Sequence, residues 1–341
     1  MKTSIFIFLM LTCQYTFGQE IEWVNIQTGT DANFRGLSVV DDSVAWVGGS
    51  NGWVGRTENG GRTWAFRQVK DIEKSDFRSL YAFDAQTAVI ANAGSPAYIL
   101  RTTDGGVSWT LIYRNDDKEA FIDGTDFWNN KDGMMYGDPI QGRMLLLRTA
   151  DGGMTWKEMP ESSRPVLKEG EASFAASGTG IRCLGDKKVI IATGGKVSRL
   201  WISDDKGLHW NFLEPPVIQG GTMTGIFSVA FRNGKTGVIT GGDYERDTLK
   251  TRHIFYTRDA GKTWQSPLVP TRGIRECVEY IKENVLIATG KQGSDISYDG
   301  GVNWKPLSDE KFYDVIRKAR KGSLTLIAGG KGKLSLLKPE K

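Results

Sequence analysis

Three arginines stand at the start of short, strand-like apolar runs, where their side chains could bind an anion. These are Arg35, Arg78 and Arg275. A guanidinium group binds a carboxylate, sulfate or phosphate through forked hydrogen bonds. If the three runs enter one channel mouth, the sequence predicts an anion-binding site there.

The other candidate ligand-binding residues carry carboxyl or hydroxyl groups and fall in predicted loops and strand entrances: Ser95, Asp123, Asp138, Glu171, Asp243, Tyr244 and Asp295. Paired carboxyls, or a carboxyl near Tyr244, could serve as general acid, base or nucleophile. Structural roles remain open beside these. Arg35, Arg78 and Asp123 can bridge neighbouring repeats as buried ion pairs, and Asp138 and Asp295 can cap turns. No catalytic residue is assigned.

The elements that position these residues follow from an eight-residue pattern, hydroxyl-x-Asp/Asn-x-Gly-x-x-Trp. It occurs at Thr57–Trp64, Thr102–Trp109, Thr149–Trp156, Ser203–Trp210, Thr257–Trp264 and Ser297–Trp304. The hydroxyl and the Asp or Asn can brace a tight turn, glycine permits positive φ, and tryptophan supplies an apolar plate. We therefore assign a structural role to Asn59, Trp64, Asp104, Trp109, Asp151, Trp156, Asp205, Trp210, Asp259, Trp264, Asp299 and Trp304.

The spacing of the pattern predicts an all-β, seven-bladed β-propeller of four-stranded antiparallel blades. Consecutive motif tryptophans lie 40 to 54 residues apart, and four short strands fit into each interval. After Trp304 only three strands follow, while the segment Ile21–Ile26 resembles a fourth strand. We expect this N-terminal strand to complete the last blade and close the ring. Residues 19–341 are then a single propeller.

The motif resembles the Asp-box, or BNR, repeat of sialidases and other exported propellers. The whole mature chain is similar to propellers of the photosystem II assembly and stability-factor type. The resemblance implies the fold and leaves activity open, because such propellers include hydrolases, lyases and binding scaffolds. Phe34-Arg35-Gly36 lacks the Ile-Pro that follows Phe/Tyr-Arg in sialidases, which argues against a sialidase.

Two functions remain open from the sequence. Because the Asp-box is a third-to-fourth-strand turn, the candidate residues should project from the opposite face of the disc. A binding or assembly-assisting module would use this face to hold a protein partner. The alternative is a carbohydrate-active enzyme, a glycoside hydrolase or polysaccharide lyase acting on acidic glycans. We favour the binding module, since no catalytic set is recognisable.

Composition and the N-terminus limit location and partners. The 341 residues carry 44 Lys+Arg against 40 Asp+Glu, a formal charge of +4 that does not favour nucleic acid. Residues 1–18 read as a signal peptide, which predicts an exported, periplasmic or secreted protein without a membrane span in the mature chain. A lipid anchor at Cys13 is the alternative. Cys183 and Cys277 are predicted as buried free thiols. Two histidines and no Gly-x-Gly-x-x-Gly turn predict neither metal nor cofactor.

Overall fold

Seven β-sheets form a closed ring in the computed structural model, which describes residues 21–339. Each sheet is a blade whose strands follow one another outward from the axis. Blade 1 contains β2 (Phe34–Val39), β3 (Ala45–Gly49), β4 (Trp53–Thr57) and β5 (Ala65–Gln68); blade 2 contains β6 (Phe77–Ala82), β7 (Ala88–Asn92), β8 (Ala97–Thr102) and β9 (Thr110–Asn115); blade 3 contains β10 (Ile122–Phe127), β11 (Gly133–Ile140), β12 (Arg143–Thr149) and β13 (Lys157–Glu158).

The remaining blades complete the ring. Blade 4 contains β15 (Ile181–Leu184), β16 (Lys188–Ala192), β18 (Leu200–Ser203) and β19 (Asn211–Leu213); blade 5 contains β14 (Glu171–Ala172), β17 (Gly194–Gly195), β20 (Thr224–Phe231), β21 (Gly237–Asp243) and β22 (Ile254–Thr257); blade 6 contains β23 (Cys277–Tyr280), β24 (Leu286–Gly290), β25 (Gly293–Ser297) and β26 (Lys305–Ser308); blade 7 contains β27 (Tyr313–Lys318), β28 (Thr325–Gly329), β29 (Leu334–Pro339) and β1 (Ile21–Asn25). Single 3₁₀ turns lie at Glu161–Ser163 and Tyr244–Arg246.

Blade 5 departs from the predicted four-strand pattern. Its fourth strand is reduced to a bridge between Tyr256 and Gln265, and the short strands β14 and β17 are added at its inner edge. The connection before blade 4 supplies β14, so this connection extends past blade 4 to join the sheet of blade 5. The all-β seven-bladed prediction is otherwise confirmed.

The N-terminal strand closes the ring as predicted. Residues of β1 pair antiparallel with β29, with Trp23 opposite Leu337, and the Trp23 ring packs 5.3 Å from that of Tyr313. Further bonds join blade 7 to blade 1: the Arg320 N–H donates to Val39 O at 3.1 Å, and Asp42 Oδ1 accepts from the Leu324 N–H at 2.7 Å.

The Asp-box turns are braced by their own side chains. In the blade 2 copy, Asp104 Oδ1 accepts from the Thr102 hydroxyl at 2.8 Å and from the Ser108 N–H at 3.0 Å. Thr102 Oγ1 in turn accepts from the Gly106 N–H at 3.0 Å. Gly106 has φ of 80°, which glycine adopts without strain. The predicted turn chemistry is therefore confirmed in detail.

A further bond fixes which face the Asp-boxes occupy. The fourth residue of every box donates its N–H to a carbonyl in the first-to-second-strand turn of the same blade; Gly105 donates to Gln86 O at 3.0 Å and Gly152 to Lys131 O at 2.9 Å. These two sets of turns therefore share one face of the disc. The entrances of the first strands lie on the other face.

Each motif tryptophan packs between its own blade and the preceding one. Trp109 of blade 2 meets Trp46 of blade 1 edge-on at 6.2 Å. Trp156 packs with Val89 of blade 2, and Trp304 packs with Val238 of blade 5. The apolar core is thus divided among the spaces between blades, where aromatic rings remove the most area from water.

The structure also bears on the predictions about the cysteines, the signal peptide and a membrane span. Cys183 and Cys277 are free; Cys277 is buried and Cys183 is half-buried. The predicted signal peptide lies outside the described residues. Between residues 21 and 339 no helix is both long and apolar enough to cross a membrane.

Removing β1 should destabilise the whole ring. We expect deletion of residues 21–25 to lower the melting temperature sharply, because β29 loses its partner strand and Tyr313 loses Trp23. Differential scanning calorimetry measures the change. The control is Glu22→Ala at an exposed position of the same strand. An unchanged melt in the deletion variant would contradict closure through β1.

The Asp-boxes should make stability depend on acid pH. Hydrogen bonds from Ser108 lower the pKa of Asp104 to about 2, below the ordinary 3.8. Its ionised form therefore stabilises the fold above about pH 4, and this contribution is lost as the pH falls through 2. We expect the melting temperature to fall less in Asp104→Asn than in the wild type when the pH is lowered from 4 to 2.

The first Asp-box supplies the reverse control. Asn59 Oδ1 accepts from the Thr63 N–H at 2.9 Å, and its Nδ2 donates to Thr63 Oγ1 at 2.7 Å, so asparagine braces the same turn. Asn59→Asp should therefore add acid dependence where Asp104→Asn removes it. If the melting temperature depended on pH identically in the wild type and both variants, this explanation of the acid dependence would be wrong.

Candidate binding site at the channel mouth

β-Bulges mark the entrances of five first strands. In β2, β6, β10, β20 and β27 the pairing with the second strand skips one residue, and that residue is Arg35, Arg78, Asp123, Phe227 and Asp314 respectively. A bulge leaves its extra residue unpaired and re-aims the side chain. All five bulged residues line one cavity, which we call the mouth.

The mouth lies on the axis, on the face opposite the Asp-boxes. Its volume is about 260 Å³, and six of the seven blades reach it. Besides the bulged residues it is lined by Phe121, Asp138, Ser173, Phe174, Ala175, Ala176, Met223, Tyr244 and Glu276. A cavity of this size is smaller than the usual range for drug-sized ligands and suits one side chain or a small molecule.

One side of the mouth is a stack of aromatic rings, which we call the aromatic wall. Phe174, from the connection that carries β14, lies parallel to Phe227 at 4.1 Å with 5° between the planes. Phe227 stacks in turn on Tyr244 at 6.1 Å and 17°. Lys291 Nζ lies 4.1 Å from the centre of the Tyr244 ring, so the wall already holds one cation.

The cations around the mouth each have a carboxylate partner. Arg35 Nε lies 3.5 Å from Asp314, and Arg78 Nε donates to Asp76 at 2.8 Å. Lys291 Nζ lies 3.1 Å from Asp247. The two arginines predicted to bind an anion are therefore engaged within the protein.

Asp123 is a buried carboxyl without a hydrogen-bond partner. The residue is 1% exposed, and neither of its oxygens accepts a hydrogen bond. The adjacent Asp138 N–H is directed to Phe121 O at 3.1 Å and leaves Asp123 without a bond of normal geometry. Burial, with the charge of Asp138 as a second cause, raises the pKa of Asp123 well above its ordinary value.

Other carboxyls at the mouth are also shifted toward the neutral form. Burial, followed by repulsion from Asp314, raises the pKa of Glu276 to about 8. Burial raises the pKa of Asp314 to about 6 although Arg35 opposes the shift. Burial likewise raises the pKa of Asp138. Such carboxyls can donate a proton or ionise when a cation arrives.

The mouth brings together half of the residues predicted from the sequence: Arg35, Arg78, Asp123, Asp138 and Tyr244. It also contains Glu276, Asp314 and Phe227, which the sequence reasoning missed. A signal existed for Asp314 and Phe227. The bulged residue follows an aromatic residue or isoleucine, as in Phe77-Arg78-Ser79 and Tyr313-Asp314-Val315.

Arg275 does not reach the mouth. It is fully buried, and its Nε donates to Asp295 Oδ2 at 2.8 Å. The expectation that three arginines share one entrance, with Asp295 beside them, is therefore corrected. The pair is an internal brace of blade 6, and Arg272 donates to the other oxygen of Asp295 at 2.8 Å.

Three other predicted residues have structural bonds away from the mouth. Glu171 is buried and bonded to Arg199, Thr193 and Trp201; these bonds hold its pKa below the ordinary value although burial acts against ionisation. Asp243 caps the turn Tyr244–Arg246. Ser95 is exposed and donates to Asp117 O at 2.7 Å.

A second cavity, of about 320 Å³, opens at the axis on the Asp-box face. Its charged lining includes Asp126, Arg182, Glu279, Arg317 and Arg320. Arg182 donates to Glu279 at 2.9 Å, and Asp126 accepts from the Cys183 N–H at 2.7 Å. Among the fully buried polar side-chain atoms that line it, only Tyr280 Oη has no hydrogen-bond partner. Its charged side chains therefore bond to residues of other blades.

Comparisons with known proteins agree with this architecture. A family profile described as Photosynthesis system II assembly factor YCF48 matches residues 16–119, and one described as BNR/Asp-box repeat matches residues 255–266. The chain is an Asp-box β-propeller that resembles photosystem II assembly factors. Residues of the motif that carried the prediction thus lie within both matches.

Two curated relatives share part of the chain. The Photosystem II assembly lipoprotein Ycf48 of Synechococcus sp. (strain CC9902) is 26% identical over 165 residues, 48% of this chain and 48% of the relative. The Photosystem II stability/assembly factor HCF136, chloroplastic, of Oryza sativa subsp. japonica is 24% identical over 164 residues, 46% of this chain and 38% of the relative. The match spans about half or less of these relatives.

Solved structures extend the fold likeness to almost the whole chain. YCF48 bound to a D1 peptide has a TM-score of 0.65 at 20% identity, covering 92% of this chain and 96% of that one. YCF48 from Cyanidioschyzon merolae has a TM-score of 0.64 at 18% identity, covering 94% and 99%. A GH74 xyloglucanase from Xanthomonas campestris has a TM-score of 0.62 at 16% identity, covering 92% and 53%. At these identities the likeness concerns the fold.

Across residues 21–339, no three His, Cys, Asp or Glu side chains are grouped as metal ligands would be. The mouth offers instead carboxyls held near neutrality, two internally paired arginines and an aromatic wall. This arrangement can hold a ligand through charge and stacking.

Glu276 should make stability fall as the pH rises. Because its pKa in the folded protein is about 8, above the ordinary 4.5, its neutral form stabilises the fold below about pH 4.5, and this contribution is lost as the pH rises through 8. We expect Glu276→Gln to raise the melting temperature at pH 8.5 and to change it little at pH 5. Glu169→Gln, whose side chain is 94% exposed, controls for net charge. An equal effect at both pH values would refute the assignment.

Proposed function

We propose that this protein is an exported binding propeller that assists the assembly of a partner protein by holding a segment of it at the mouth. The observation that carries the proposal is the mouth itself. Six blades converge on a cavity that contains a buried, unbonded carboxyl. Natural proteins rarely leave such groups unsatisfied away from functional sites.

The relatives supply a precedent for the kind of ligand. A propeller of the same fold was solved with a peptide bound, and the curated relatives are named as assembly factors. We carry over to this chain only the role of holding a polypeptide segment during assembly. The partner is to be identified by experiment.

The geometry does not favour an acidic glycan as the ligand. Such a ligand would need free cationic side chains, and Arg35 and Arg78 are already paired with Asp314 and Asp76. The other carboxyls of the mouth have pKa values raised by burial and offer an anion no positive charge. We therefore favour the binding role over the enzyme alternative.

Export is part of the same proposal. The apolar segment at residues 4–11, preceded by Lys2, is the reason for it, and one curated relative is named a lipoprotein and the other chloroplastic. N-terminal sequencing of the protein recovered from a periplasmic or secreted fraction should give a chain that begins at or near Gln19.

Site-specific photocrosslinking tests the partner and the face together. The photoreactive residue p-benzoylphenylalanine replaces Tyr244 at the mouth in one variant and Met154 on the Asp-box face in the other, where 55% of Met154 is exposed. Both variants are expressed in the producing cells and irradiated. We expect a discrete protein adduct from position 244, identified by mass spectrometry, and none from position 154.

Two crosslinking results would overturn the proposal. An adduct of the same protein from position 154 alone would place the binding surface on the Asp-box face and overturn the proposal. No adduct from either position, with both variants folded and expressed at wild-type level, would also overturn it.

A further inference from the structure

The charges at the mouth do not balance. Its three neighbouring cations, Arg35, Arg78 and Lys291, are each paired with a carboxylate. Among residues 21–339, Asp123, Asp138 and Glu276 have no cationic partner within hydrogen-bond distance. Asp138 accepts only the Ser173 N–H, at 2.9 Å, and Glu276 only the Lys291 N–H, at 2.8 Å. The mouth therefore has three carboxyls in excess.

Hydrogen bonds are also missing on the same side of the mouth. Both oxygens of Asp123 are unbonded, and so is the hydroxyl of Ser173, which is 6% exposed and lines the cavity. Leaving such buried groups without hydrogen bonds lowers the stability of the folded protein. Water could supply hydrogen bonds, but it would leave the carboxyls without an opposite charge. A ligand with several N–H donors and a positive charge supplies both.

The aromatic wall fits the same ligand. The ring stack of Phe174, Phe227 and Tyr244 gives the mouth an apolar side, against which the aliphatic stem of a lysine or arginine can lie while its charged end reaches the carboxyls. The cavity accommodates about one side chain. A metal ion is a poorer match, because residues 21–339 contain no cluster of three ligating side chains.

We propose that the mouth receives a cationic side chain of the partner polypeptide, an arginine guanidinium or a lysine ammonium group. The cation pairs with Asp123, Asp138 and Glu276, while its aliphatic stem lies against the aromatic wall. This proposal rests on the proposed function, since it names the part of the partner that enters the mouth.

The Asp-box-side cavity provides an internal comparison. It has a larger volume and comparable charged groups, yet its arginines donate to Glu279, to Ser38 or to backbone carbonyls, and Asp126 accepts from backbone N–H groups. The opposite mouth, built from the other ends of the same first strands, lacks this internal satisfaction. Among residues 21–339, the lining carboxyl whose two buried oxygens both lack a hydrogen bond thus lies at the mouth and not at the Asp-box-side cavity.

Binding of the cation should release protons. The groups facing the ligand are Asp123, Asp138, Glu276, Asp314, Tyr244, Arg35 and Arg78, with Asp76 and Lys291 behind them. A positive charge favours the ionised carboxyls, so affinity should rise with pH between 6 and 8, by up to about tenfold per pH unit for each proton released. A structural carboxyl that never meets a ligand would give no such dependence.

Isothermal titration calorimetry on the purified mature chain tests the proposal with small probes. The probes are the N-acetyl N-methylamides of arginine, lysine, citrulline and glutamate, together with putrescine. We expect arginine or lysine amide to bind with a Kd of about 1 mM, a scale reasonable for one side chain. Citrulline amide, which has nearly the shape of arginine without its charge, should bind at least about tenfold more weakly. Glutamate amide should not bind.

Matched variants locate the site. Asp123→Asn should weaken arginine-amide binding at least about tenfold and reduce the proton release measured in buffers of different ionisation enthalpy. Glu276→Gln is a second test that does not depend on the folding of the first variant. Asp126→Asn, at a carboxyl that lines the Asp-box-side cavity, should leave binding unchanged.

Several results would overturn the cation site, the proposed function or both. Equal binding of citrulline and arginine amides, or full binding by both Asp123→Asn and Glu276→Gln, overturns the cation site. Tighter binding of putrescine than of either amide assigns the mouth to a free amine and overturns the side-chain proposal. If position 244 crosslinks to a partner but no cationic probe binds, the proposed function stands and this inference fails. If a probe binds but no adduct forms, both the partner role and its cationic side chain are wrong.

Discussion

The packing of each Asp-box tryptophan between two blades is the contact on which the ring depends. A four-stranded blade has two faces to bury and can bury them only against its neighbours. The box places its tryptophan there by fixing a turn with a hydroxyl, a carboxylate and glycine; Trp109 thus reaches Trp46 of the preceding blade. The hydrogen bonds of the turn join residues close in sequence, but the tryptophan contact that they position joins two different blades.

The ring has one position where this device is absent. Blade 7 has no Asp-box, and its outer strand comes from the other end of the chain. Closure there uses main-chain pairing of β1 with β29, the Trp23–Tyr313 contact and the bonds of Asp42 and Arg320 across to the adjoining blade. Two different solutions thus meet the same requirement, which is to leave no sheet edge or blade face exposed.

Much of the fold was predictable because its signals are local and repeated. Six boxes predicted six third-to-fourth-strand turns, and the missing strand after Trp304 predicted the shared blade. The site was only half predictable, because a side chain's direction changes with every residue along a strand. Arg275 and Glu276 illustrate this: the arginine was chosen, but the next residue faces the mouth.

The remaining differences between the predicted and the observed site come from contacts between residues distant in sequence, which a local sequence pattern does not reveal. Glu171 was a reasonable loop candidate, yet its bond to Arg199 spans 28 residues through an irregular connection. Asp123 was chosen on its position, and its lack of any hydrogen bond is visible only in three dimensions. Sequence reasoning selected the right face of the disc, and the bulges decided which residues on that face enter the mouth.

The bulges also explain how a rigid ring can keep an unbalanced site. Each bulge interrupts one ladder position and directs one side chain to the mouth, so the interruptions of strand pairing are spread over several blades. The tryptophan contacts on the other face are untouched by these interruptions, because the two sets of elements occupy opposite ends of the strands. Stability and recognition are therefore separated along the length of every blade. A carboxyl such as Asp123 can remain without a partner at one end while the fold is held together at the other.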